Sequence, residues 1–202
     1  MMSYPTFFNN TPTITLKDPL SNFLGTFTDG IVEFSYLDIV KSAGHSCPTV
    51  AGAYLSTIKG LEALYGDEMP TRGDIAVAFK DDVNKGVTGV ISNVITQITG
   101  ATEKTGFKGL NGNFARNNLM EFNANIESEI LFMRLDTKAC VTVNYNPSSV
   151  GSSPEMQGLM GKMMQGVATQ EEKLEFGRVW QQRVSDIFDR VDEVVCVEKL
   201  DD

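Results

Sequence analysis

A chain of 202 residues, 42% hydrophobic and 21% charged, can bury a sizeable core and is too apolar for a disordered segment. Its 26 acidic and 17 basic residues leave a net charge of −9, which argues against nucleic acid and against an anionic membrane surface as partners. No apolar run approaches the ~18 residues of a membrane span. MMSYPTFFNN lacks the basic and apolar regions of a signal peptide, so a cytoplasmic protein is expected.

Residues 1–33 hold Pro5, Pro12 and Pro19 among Asn and Thr and read as an extended N-terminal arm; 34–202 read as one domain. Tyr36–Ala43 reads as a short helix that Gly44 stops. After Gly44-His45-Ser46-Cys47-Pro48 the apolar residues Val50, Tyr54, Leu61, Leu64 and Tyr65 recur at helical spacing, up to a break at Gly66. Pro48 suits the first helical position, which puts Cys47 at the N-cap. Ala51, Gly52, Ala53 and Ser56 make the first turns of this helix slim.

Residues 74–80 alternate like a half-buried strand, and Asp81-Asp82 opens a solvated loop. Residues 90–99 read as a mostly buried helix ended by Gly100. Asn93 is the unusual polar residue in it, either bracing the core or facing a pocket. A Gly- and Asn-rich stretch follows, then strands at 118–122, 130–135 and 139–146, the last carrying Cys140. Of two helices beyond, the first holds Met156, Leu159, Met160, Met163 and Met164, a pattern of the core or of an interface between copies. The second opens on a Thr169/Glu172 capping box and buries Phe176, Val179, Trp180, Val184, Ile187, Phe188 and Val191. Residues 194–200, with Cys196, read as a final strand. The expected fold is α+β, with helices packed on a mainly antiparallel sheet.

Three widely spaced cysteines do not make a disulfide framework, and His45 is the only histidine. His45 and Cys47 form a His-x-Cys pair just before a proline-started helix. A Cys at a helix N-terminus faces unpaired N–H groups and the positive dipole end, which favours the thiolate. Thiolate and imidazole suit zinc, and also nickel, copper or iron, but two ligands need a third residue, a water or a second copy. The same pair suits a Cys nucleophile with a His base, a haem thiolate at Cys-Pro, or simply a buried cysteine beside a hydrogen-bonded loop histidine. Gly106, Gly109 and Gly112 enclose Lys108, with Arg116 four residues on. Such a loop either holds a phosphate or carboxylate or merely needs glycine to turn.

The run GHSCPTVAGAYL resembles the motif that opens proteins of the FmdE-like family, named after a component of formylmethanofuran dehydrogenase. ITQITGAT, GFKGLNG, FARNNLMEF and GVATQEEKLEFGRVWQQRVSDIFDRVDEVVCV resemble later segments of that family in the same order, over about residues 34–197. The resemblance implies an α+β core, a homodimer and a metal-associated cleft containing His45 and Cys47. Typical relatives carry an acidic residue and another Cys in and near the helix where this chain has Asn93, and no Cys lies between Cys47 and Cys140. The Cys pairs of the C-terminal zinc finger found in some relatives are missing, and nothing resembles a molybdopterin or iron–sulfur domain. The reading that results is a metal- or metallocofactor-binding protein with His45 and Cys47 as metal ligands. Zinc stands ahead of nickel or iron, and haem is the alternative cofactor. Asn93, Lys108, Gly109 and Arg116 would line the cleft and hold a small anionic ligand. An enzyme using Cys47 or a bound metal is the other alternative.

Overall fold

The computed structural model describes residues 3–200. In chain order the elements are β1 (Ile14–Lys17), α1 (Pro19–Leu24), β2 (Ile31–Phe34), α2 (Tyr36–Ala43), α3 (Pro48–Tyr65), β3 (Ile75–Phe79) and α4 (Thr88–Thr99). There follow β4 (Met120–Glu121), β5 (Ile130–Arg134), β6 (Cys140–Tyr145), α5 (Pro154–Met164), α6 (Gln170–Asp189), α7 (Val191–Val194) and β7 (Val195–Leu200). The fold is α+β. A five-stranded sheet has the order β4-β3-β5-β6-β7, antiparallel except for the short β3–β4 pair, and β1 and β2 form a separate antiparallel pair. Among the described residues no helix is long and apolar enough to cross a membrane.

The small residues predicted for α3 explain its place. Most of this helix is buried, and it lies against β5, β6 and β7 on one side and α2, α4 and α6 on the other. Gly52 admits the Tyr145 ring, and a Cβ at Gly60 would stand 2.8 Å from the Phe132 ring. The alternation of β3 and β5 sends Ile75, Val77, Phe79, Ile130 and Phe132 to the α3 side, where they are almost fully buried. Ala76, Ala78, Leu131 and Met133 take the opposite face, where they are only partly buried.

Within residues 3–33 the chain is folded rather than extended (Met1 and Met2 lie outside the described residues). Phe8, Ile14 and Leu16 enter the core, and β1 pairs with β2 in the register Ile14↔Phe34 and Leu16↔Val32. The Tyr54 hydroxyl, 2.6 Å from the Pro12 carbonyl and 3.0 Å from that of Phe34, ties the chain just before β1 and the end of β2 to α3. Two of the prolines serve as helix starts: Pro5 caps a 3-10 turn and Pro19 occupies the first turn of α1.

Candidate functional site

The turn between α2 and α3 is set by three residues. Gly44 ends α2 in the left-handed conformation (φ 78°), its N–H bonded to the Val40 carbonyl. Cys47 is extended, and its Sγ accepts the Val50 N–H at 3.4 Å as the cap of α3. Pro48 starts the helix. Ser46 is clamped from several sides. The Trp180 Nε1–H and Gln181 side chain donate to its carbonyl at 3.0 and 3.2 Å, and the Tyr36 hydroxyl lies 2.9 Å from its Oγ.

His45 is exposed, with Nδ1 3.0 Å from the Ala43 carbonyl. A carbonyl only accepts, so Nδ1 is the donor, which leaves Nε2 as the nitrogen open to another partner. The imidazole lines a cavity of about 420 Å³ between α2 and α4, together with Ser42, Asn93, Thr96 and Gln97. Asn93 is thus on the exposed side of α4, in the wall of that cavity, rather than in the core.

Cys47 is not among the residues lining that cavity. It is half-buried and packs on the core. Tyr36 and Tyr145 lie close enough for burial, reinforced by Cys47, to push both phenols above the ordinary tyrosine range. The Tyr145 hydroxyl donates to the Pro48 carbonyl at 2.8 Å. Each member of the His-x-Cys pair is claimed by a different helix end, His45 by the last turn of α2 and Cys47 by the first of α3. Among the described residues no hydrogen bond joins His45 to Cys47.

The remaining predicted site residues lie elsewhere. Lys108 is exposed on the Gly-rich loop. At Gly109 (φ +93°) a Cβ would stand 2.6 Å from the Asn113 carbonyl, so the turn itself demands glycine. Arg116 is 7% exposed and paired with Asp18 at 2.7 Å. Of the predicted set, one cavity unites His45 and Asn93 but not Cys47, Lys108, Gly109 or Arg116. Among the described residues no three His, Cys, Asp or Glu side chains are grouped as metal ligands would be. Imidazole and thiolate are suitable donors, but on their own they are an incomplete shell. The residues around Cys47 that sequence patterns miss are Tyr36, Tyr145 and Gln181. They come from α2, β6 and α6, and only tertiary packing joins them. Compared with known proteins, no family model matches the chain, and no curated protein matches it significantly.

Proposed function

We propose that the chain is a metal- or metallocofactor-binding protein of the FmdE-like type, working as a homodimer and contributing His45 and Cys47. The observation that carries this reading is the Nδ1–H bond from His45 to the Ala43 carbonyl. Metal-binding imidazoles are commonly oriented by such a bond, which fixes the tautomer and frees Nε2. Zinc, nickel and iron all accept imidazole and thiolate. Two protein donors imply a metal that brings donors of its own or takes the rest from a second copy. The same shortage favours haem as a second reading, since a porphyrin supplies its own ring of nitrogens and Cys47-Pro48 suits an axial thiolate.

The test is titration of the reduced protein with cobalt(II), and separately with haemin, in wild type, His45→Ala and Cys47→Ser. Stoichiometric binding is expected, with a thiolate-to-cobalt charge-transfer band that Cys47→Ser abolishes and a loss of affinity in His45→Ala. For haem the Soret band takes the place of the cobalt band. Equal uptake of both probes by all three proteins would refute the reading.

A further inference from the structure

A second group of charged side chains lies away from the His45 turn. Asp18 caps α1 through the Ser21 N–H at 3.0 Å and accepts from Arg72 Nη1 at 2.8 Å and Arg116 Nη2 at 2.7 Å. Arg72 spends its other donors on the Ile98 and Gln97 carbonyls at the end of α4. Arg116 Nη1 is buried and has no hydrogen-bond partner. Two guanidinium groups therefore share one carboxylate, and a charged donor is left over in the interior, where such groups are rare and costly. Consistent with this, burial and the neighbouring Arg72 push the Arg116 guanidinium below its ordinary range despite Asp18.

The cluster borders a cavity of about 370 Å³, whose wall includes Arg72, Gly73, Asp74 and Arg116 and the loop residues Gly112 to Arg116. Arg116 Nη1 occupies the space a Cβ would need at Gly73, so glycine in this wall lets the guanidinium reach its place. The backbone N–H groups of Gly112, Phe114 and Ala115 have no partner among the hydrogen bonds of the described residues, although their neighbours Asn113 and Arg116 donate to Leu110 and Phe107 carbonyls. Phe114 stands in the left-handed region (φ 64°). An orphaned guanidinium donor and uncommitted N–H groups beside one cavity suit an oxyanion, whose charge would complement the arginines in a cluster that Asp18 and Asp74 otherwise leave neutral.

We propose that this cavity binds a small carboxylate or phosphate, with the Arg116 guanidinium as its principal partner and Asp74, exposed in the wall, opposing it. The site uses neither His45 nor Cys47; of the residues expected to line their cleft it contains only Arg116, which lies in this separate cavity. The test is isothermal titration of the full chain with inorganic phosphate and with succinate, at constant ionic strength in chloride. Wild type should bind at least one of them. Arg116→Lys, which keeps the charge but loses the planar fork, should bind about tenfold more weakly. Asp74→Asn, a change in an exposed residue that leaves the ion pairs intact, should bind about threefold more tightly. A His45→Ala, Cys47→Ser double variant should bind as wild type does, whatever its metal content. Absence of heat with both anions, or binding that neither Arg116→Lys nor Asp74→Asn alters, would overturn the proposal. If Arg116→Lys does not fold, an unchanged affinity in Asp74→Asn overturns it alone.

Discussion

The Cys47 cap of α3 has an ordinary N–H···S length of 3.4 Å, but sulfur is a weak acceptor and the bond contributes little. Serine at the same place should cap at least as well. Cys47→Ser is expected to leave stability unchanged or raise it by about 0.5–1 kcal/mol in urea unfolding. A loss above that size would show that thiol packing outweighs the cap. Asp18 lies at the other extreme of cost. Burial alone would raise its carboxyl, but the Ser21 N–H, Arg72 and Arg116 outweigh burial and hold it below the usual carboxylate range. A lowered folded pKa contributes stability above the unfolded value of about 3.9, and this is lost as the pH falls through the folded one. Asp18→Asn should cost about 3 kcal/mol at neutral pH by stranding two guanidiniums. It should also flatten the acid limb of a stability–pH curve below about pH 4, and an unchanged limb would contradict this. The Cys47 cap and the Gly44 stop are legible in sequence because Pro and Gly mark local geometry. The Asp18 cluster is not, since its hydrogen-bonded partners lie 54 and 98 positions along the chain.

The slim face of α3 is under tension between local and tertiary preference. Alanine at position 52 would gain about 1 kcal/mol of helix propensity but lose about 1–3 kcal/mol to overpacking, because the Tyr145 ring is tethered to the Pro48 carbonyl. Gly52→Ala is therefore expected to destabilise by up to about 2 kcal/mol in urea unfolding and to alter the near-ultraviolet tyrosine signal. A stabilised variant would show that Tyr145 moves freely. The helices α2, α3 and α6 are readable because apolar period and caps agree, down to the Thr169–Glu172 capping box. In α4 the apolar pattern overstates burial, as Val87, Val90 and Asn93 form an exposed stripe. The folded N-terminal segment is hidden because the four residues of β1 are too few to reveal a period, and proline count alone suggests an arm. Of the methionines, Met156 is buried but Met164 is 82% exposed near Val167 and Leu174, so helical spacing separates core from surface poorly where α5 and α6 meet.

The proposed homodimer has its own signature. Two copies at −9 each repel at low ionic strength, and salt screens that repulsion over about 10 Å at 0.1 M. Light scattering behind size exclusion should give twice the chain mass, with the dimer tightening as salt rises. A monomer at both low and high salt would remove the dimer. The α+β class follows from patterns that sequence shows well, alternation in strands and a 3.6 period in helices, whereas the strand order β4-β3-β5-β6-β7 is set by tertiary pairing that those patterns do not encode. That His45 lines the cavity between α2 and α4 and Cys47 does not is hidden in sequence, because it depends on which helix end each side chain serves.

The link from Asp18 to Arg116 also dictates a timetable. A chain emerging from the ribosome makes Asp18 early but must wait 98 residues for Arg116, and β3 must wait for β5. Closing so long a loop is slow to repay its entropy. β1 can pair early with its neighbour β2, whereas the contacts of Asp18 and Phe23 with Arg116 and Phe114 must follow synthesis of the Gly-rich loop, so the first segment made is secured in two stages.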